Sequence, residues 1–587
     1  MRAVRALLIA GALVAVQRCA TGLLSPSAMS LDEKVGQLFV YPATGRFMNE
    51  ASPEYRALVH QVRDNHVGGI LWYLSSDVYE TTRLNRRLQS LAAHPLIVAA
   101  DLEAGVGMRF LDTTNWPWPM AVGATGDPSL AERQGRIVAE EARAMGVNQV
   151  YAPVADVNLD PANPTINVRS YGEDPSTVAN FVSAFVRGVQ SGAVLATVKH
   201  FPGHGDTRTD SHRSLPVLAV DFERLDRVEL LPVRAAIRAG VGAVMTAHLS
   251  IPAVDATPAP LRTPGPGEDL SEVARDATVP ASMSAAVVSG LLRDRLGFHG
   301  LVVSDALDMG GIVDHFEPGE AAVRAILAGA DQVIKSADTD AAIRGVRRAV
   351  TEGRIPIERL DRSVEAVLAA KRRYPAAIPD PEAAFRIVDG PEHRALAEDI
   401  ARRAVTLVRE SAGALPLVRA TKVVHVFVND VVAGTPPGTE LGRALASRLA
   451  AAPKVFVLDP RSRPDDVDPI VDAAAQGDVV LVSLFVRVRT GSGKLVLPDA
   501  ARAAVVRLSA TPAKMVGISF GNPYLVADLP GLSTYLAAYG DQPLLQTAVA
   551  RALFGETAIS GRLPVTIPGV AERGTGIQRA SSAAATP

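Results

Sequence analysis

Cysteine is almost absent. The chain has 587 residues and a single one, Cys19, close to the N-terminus. The body of the chain therefore has no thiol, which excludes a disulfide framework and a cysteine-ligated metal. An excess of one charge is also lacking. A net charge of -2 gives no electrostatic reason to expect nucleic acid as a partner. Beyond the N-terminus no apolar run is long enough to read as a membrane span. A Gly-rich nucleotide fingerprint is missing too: Gly491-Ser492-Gly493-Lys494 lacks a following helix signal and reads as a turn. What remains is the ordinary composition of a folded protein, 48% hydrophobic and 21% charged. The length exceeds what one hydrophobic core organises, so two domains are expected.

Residues 1–22 read as a signal peptide or membrane anchor. Arg2 and Arg5 make the start basic, and Ala6 to Val16 form an apolar run shorter than a span. The expectation is an exported protein, periplasmic or extracellular. Arg18 stands where cleavage after Ala20 wants a small residue, so an uncleaved N-terminus attached to a membrane stays open.

From residue 31 to about 374, short apolar runs alternate with amphipathic stretches. The runs 36–41, 67–74, 95–101, 148–157, 194–200, 243–248, 300–305 and 330–335 read as strands buried on both faces. The stretches 128–145, 175–192, 221–239, 284–296 and 319–327 carry apolar residues at helical spacing. This predicts an α/β chain with an N-terminal (β/α)8 TIM-like barrel over 29–375. A doubly wound open sheet is the alternative. Residues 252–280 are rich in Pro and read as a long loop over the catalytic face. A linker is expected at 376–395, a smaller α/β sandwich domain at 396–570 and a flexible tail at 571–587.

In such a barrel the chemistry sits at the C-terminal strand ends. Asp101, Glu103, Asp156, Lys199, His200, His248 and Asp305 all fall there. The segment from Lys199 to Thr207, continuing through Asp210-Ser211-His212, is dense in Gly and titratable groups. Its glycines and proline let the backbone turn sharply. His200, His204 and His212 could in principle supply three metal ligands, but no HExxH-like spacing supports this. A purely structural loop is a third reading. Gly300-Leu301-Val302-Val303-Ser304-Asp305 is a buried strand ending in a carboxylate, which suits a glycosyl nucleophile.

Together these two segments resemble glycoside hydrolase family 3, and its bacterial β-N-acetylhexosaminidase branch in particular. The resemblance begins at Met29-Ser30-Leu31 and returns in the second domain at Ala404 to Arg409. It implies that Asp305 is the nucleophile and His212 the general acid/base, with Asp210 orienting its imidazole. His212 would swing in on its loop when substrate binds. The resemblance further implies that Asp101, Arg109, Arg169, Lys199 and His200 contact the sugar, with His248 lining the same mouth. The substrate would be an N-acetylglucosamine-containing glycan, such as a cell-wall fragment cut from its end, with no cofactor and no metal. Tyr171 replaces the family's Phe in Arg169-Ser170-Tyr171-Gly172-Glu173-Asp174-Pro175. Val106 and Ala104 replace an Arg and a Gly usual after the third strand, while the spacing from Asp101 to Arg109 is kept. Other readings stand beside this one: a β-glucosidase or β-xylosidase, or a phosphorylase, of the same family, and a barrel that binds glycan without catalysis.

Overall fold

The computed structural model describes residues 25–582, apart from 45–46, 75, 263–276, 433–437, 490 and 492–496. The expected signal or anchor therefore lies outside the described residues, as does the middle of the 252–280 loop.

Eight parallel strands close into a barrel: β1 Phe39–Ala43, β2 Gly69–Trp72, β3 Ile97–Ala100, β4 Gln149–Val150, β5 Leu195–Phe201, β6 Ala243–Thr246, β7 Leu301–Ala306 and β8 Gln332–Ile334. Closure is made by β8 against β1, with Val40 opposite Ile334, and this rules out the open sheet. Alternate side chains point inward, so Leu71, Ala99, Tyr151, Met245 and Val303 fill the interior. The outward faces pack on the surrounding helices.

Two of the elements that differ from the pattern read in the sequence are interrupted at a proline. The run 148–157 is regular strand only at Gln149–Val150, and Val154 pairs again with Lys199 beyond the proline. Pro153 has no N–H for a ladder. The expected helix 221–239 is two, Phe222–Arg227 and Leu230–Arg238. Pro232 cannot donate to the carbonyl of Val228 and its ring crowds that carbonyl, so the break falls there. The stretch 284–296 is helical but π-wound over Ala286–Arg295, with Leu296 N–H bonded to the carbonyl of Leu291.

The second domain holds a six-stranded sheet in the order β11-β10-β12-β13-β14-β9. The strands are β9 Thr406–Arg409, β10 Val423–Asn429, β11 Lys454–Leu458, β12 Val479–Phe485, β13 Lys514–Ser519 and β14 Thr534–Ala537. Only β9 runs antiparallel to its neighbour. Helices cover both faces over two apolar clusters. Met120, Ala121 and Val168 of the barrel domain belong to one of these clusters, so the two domains share a core.

The ends of this domain differ from expectation. The helix Pro391–Ala404 starts inside the expected linker, and Asp389 N–H and His393 Nδ1 both bond Glu141 Oε1 at 2.8 Å. Residues 571–582 do not fray. Ile577 N–H bonds the carbonyl of Leu407 at 2.8 Å, and Arg579 pairs with Glu410. The free edge of β9 supplies partners for this backbone, which is why it is ordered.

Candidate active site

The strand ends of the barrel surround a cavity of about 380 Å³. Its inner end is an ion-paired cluster. Asp101, just past β3, accepts from Lys199 Nζ at 2.8 Å and from Arg109 Nη2 at 3.1 Å. Glu103 accepts from Arg169 Nε and Nη2, both at 2.7 Å, and lies 2.6 Å from Lys199 Nζ. Burial works against both carboxylates, but the cations outweigh it. Asp101 is held down to about 2, chiefly by Lys199 and then Arg109. Glu103 is held well below the usual range, chiefly by Arg169 and then Lys199. Both are therefore ionised at any working pH.

The departure at Val106 is absorbed by the turn. Val106 is buried in the core. Gly105 has φ +69, and a Cβ there would lie 2.0 Å from the Trp116 ring. The chain thus still returns Arg109 to Asp101.

His200 sits at the end of β5. It donates from Nδ1 to Asp156 at 2.7 Å and accepts at Nε2 from Arg169 at 3.3 Å. Asp156 also receives His204 N–H at 2.7 Å. His204 is buried. Its Nδ1 meets Thr207 Oγ1 at 2.8 Å, and its Nε2 meets Ser211 Oγ at 3.1 Å. Thr207 already donates to the carbonyl of His204, so its oxygen accepts from Nδ1–H and Ser211 donates to Nε2. Burial pushes this imidazole down to about 4, so it is neutral. The three histidines weighed as metal ligands are thus tied to different partners: Asp156 for His200, Thr207 and Ser211 for His204, and Asp210 for His212.

Asp210 Oδ1 accepts from His212 Nδ1 at 2.8 Å and from His212 N–H at 3.0 Å. Asp210 is buried, while His212 is partly exposed in the cavity wall. The loop is docked on the far side too. Gly310 N–H bonds the carbonyl of His212 at 3.2 Å, and Gly311 N–H that of Ser211 at 3.1 Å. In this arrangement His212 lines the cavity.

Asp305, next to the last residue of β7, is half-buried and lines the same cavity. Its Oδ1 accepts from Ala306 N–H at 2.7 Å. Burial alone would raise its pKa, but His248, His200, the Ala306 N–H and His212 together lower it. The carboxylate is ionised, as a nucleophile requires. His248 is different from the other expected sugar contacts. It is fully buried, donating from Nε2 to the carbonyl of Ala306 at 2.9 Å while its Nδ1 meets Ser282 Oγ at 2.8 Å. It braces the end of β7 from behind.

Several residues of this site had no assigned role from sequence. Glu103 and Asp156 were marked only by their strand-end positions, and His204 only as one of three histidines weighed as metal ligands. Lys335, after β8, pairs with Asp308 at 2.8 Å and lies 4.3 Å over the ring of Tyr73. Val488 and Arg489 come from the second domain and reach the cavity, with Arg489 paired to Asp430 at 3.0 Å. No sequence signal marks them.

An ionised strand-end carboxylate and a histidine–aspartate pair thus line one cavity. Residues 30–370 match the glycosyl hydrolase family 3 N terminal domain, and the chain belongs to that family. Within it the chain is β-hexosaminidase-like. It is 32% identical over 551 residues to a β-N-acetylglucosaminidase/β-glucosidase of Cellulomonas fimi, covering 92% of this chain and 94% of that one. The solved family 3 β-N-acetylglucosaminidase of Paenibacillus sp. str. FPU-7 is similar with a TM-score of 0.78 at 35% identity, over 92% of this chain and 99% of that one. A solved β-glucoside phosphorylase has a TM-score of 0.79 at 26% identity, over 92% and 95%.

Proposed function

We propose that this chain is an exo-acting, retaining β-N-acetylhexosaminidase that releases terminal β-linked N-acetylglucosamine from cell-wall-derived or related glycans. The observation that carries the reading is Asp305 and the Asp210–His212 pair lining one cavity. Asp305 attacks the anomeric carbon as the bond to the leaving oxygen breaks. His212, its Nδ1 held by Asp210, gives its Nε2 proton to that oxygen. A covalent glycosyl-enzyme results. Water then attacks the same carbon, His212 takes its proton, and the bond to Asp305 breaks. Two inversions restore the β configuration. The ion-paired Asp101 at the inner end of the cavity supports recognition of a chain terminus. The names of the relatives support an N-acetylated sugar, and the basic-then-apolar N-terminus supports export.

Initial rates on p-nitrophenyl β-N-acetylglucosaminide and β-glucoside test this reading. Asp305→Ala should lose roughly 10⁴-fold or more in kcat while staying folded. His212→Ala should lose most of the preferred activity. Preference for the glucoside, or indifference to the His212 change, would overturn the assignment. Silence on every glycoside with glycan binding retained would favour a binding barrel.

A phosphorylase is the second reading, supported by the likeness to the solved β-glucoside phosphorylase. A histidine acid/base carries no negative charge to repel an incoming phosphate. Release of sugar 1-phosphate on adding phosphate would establish it; free sugar alone would exclude it.

A further inference from the structure

Tyr151 stands directly after β4, and its N–H bonds the carbonyl of Ala100 at 2.9 Å. Its ring packs with Ala99, Met245 and Val303 inside the barrel and forms part of the cavity wall. The side chain is 1% exposed. Its hydroxyl has no hydrogen-bond partner in the protein. Buried polar groups are normally paired, and stranding one costs free energy that a phenylalanine of the same shape would not incur. Nothing in the packing of this ring requires the oxygen.

The position of the hydroxyl suggests its partner. Asp101 and Asp305 both act on it electrostatically, and together with burial they hold the phenol protonated. Both carboxylates line the same cavity. In the functional reading above, Asp101 takes the outer hydroxyls of the sugar and Asp305 reaches the anomeric carbon. Tyr151 lines this cavity together with both carboxylates. We propose that Tyr151 is a sugar-binding, specificity-determining residue whose hydroxyl hydrogen-bonds a hydroxyl or acetamido substituent of the pyranose held between Asp101 and Asp305. A neutral phenol both donates and accepts, which suits either group. A site built to hydrogen-bond a substrate group discriminates strongly against analogues lacking it.

This inference rests on the glycosidase reading, and the experiment separates the two. Tyr151→Phe in the full chain is compared with wild type for kcat, KM and Tm on the preferred p-nitrophenyl glycoside. The Tm should hold or rise, because an unpaired buried oxygen is removed, while kcat/KM falls roughly 10- to 100-fold. The same pair is then assayed with a set of monodeoxy glycosides. The wild-type advantage should vanish for the one analogue that lacks the partner group. Equal kcat/KM on the parent glycoside, a loss that tracks a drop in Tm, or a wild-type advantage kept with every deoxy analogue would overturn the inference and leave the glycosidase reading standing. A wild type that turns over no glycoside would sink both.

Discussion

Glu103 touches no reacting atom in the mechanism above, yet two cavity residues depend on it. Its carboxylate takes both guanidinium nitrogens of Arg169 and lies against Lys199. Arg169 is pinned further by the carbonyl of Thr165, at 2.9 Å from Nη1. In water such pairs are weak, but here Glu103 and Lys199 are buried. Removing one partner of a buried pair leaves the other charge uncompensated. Glu103→Gln keeps the shape and removes the charge. It should cost about 3 kcal/mol in urea unfolding. It should also lower kcat/KM roughly 100-fold by letting Arg169 and Lys199 drift from the sugar. A variant with unchanged rates would show that Asp101 suffices to hold Lys199 and the carbonyl of Thr165 to hold Arg169.

At the scale of the element, the loop that follows β5 carries the Asp210–His212 pair. Two glycines allow its close approach to neighbouring backbone. Gly203 has φ +148, and a Cβ on Gly205 would sit 1.9 Å from the carbonyl of Val157. His204 then staples the loop through Asp156, Thr207 and Ser211, so that Asp210 and His212 emerge at a fixed place. The other jaw is the turn after β7. A Cβ on Gly310 would lie 2.5 Å from the carbonyl of Arg213 and 2.9 Å from that of His212. Gly310→Ala must therefore push the loop away. The expected cost in stability is about 1–3 kcal/mol, as for other overpacking changes. The expected loss in kcat is roughly 100-fold, because the acid is displaced. Stopped assays beside circular dichroism would check it. An Ala variant with wild-type kcat would mean that the loop docks elsewhere.

The whole molecule is tied together across the domain boundary at the site itself. Glu173 accepts from Thr566 N–H and Oγ1, each at 2.7 Å, and Asn158 donates to Tyr524 Oη at 2.8 Å. These contacts hold the segment that carries Arg169, while Arg489 closes the cavity from above. Each domain also buries a neutral histidine. Burial pushes His204 down to about 4 and His425 down to about 3. Above about pH 7.5 both are essentially neutral, folded or unfolded, and pH has little effect through them. As pH falls, the unfolded side chains protonate first, so stability is lost down towards the folded pKa values. At pH 5 each contributes a loss of about 2 kcal/mol. His393, raised by its hydrogen bond to Glu141, works in the opposite direction over the same range. Denaturant unfolding at pH 7.5 and pH 5 should show a net fall. Stability that holds or rises on acidification would mean that these histidines have normal access to water.

Resemblance to family 3 nominated Asp210 and His212, while periodicity and strand-end chemistry were enough to read the barrel, the second sheet domain, and the placement of Asp305 and Asp101. Each of those features is local: a buried strand declares itself by its run of apolar residues, and a strand-end polar group by where the run stops. Prolines at 153 and 232 show the limit of that reading, because a missing N–H cuts an element that hydropathy alone extends. Tertiary structure decided everything that depends on neighbours distant in the chain. It alone tied Glu103 to Arg169 and Lys199, buried His248 against Ser282 and the carbonyl of Ala306, and left the Tyr151 hydroxyl without a protein partner. It also brought Arg489 from the second domain and ordered residues 571–582 on the edge of β9. A strand end fixes which residue faces the mouth of a barrel. Only the closure of eight strands fixes which other residues it meets there.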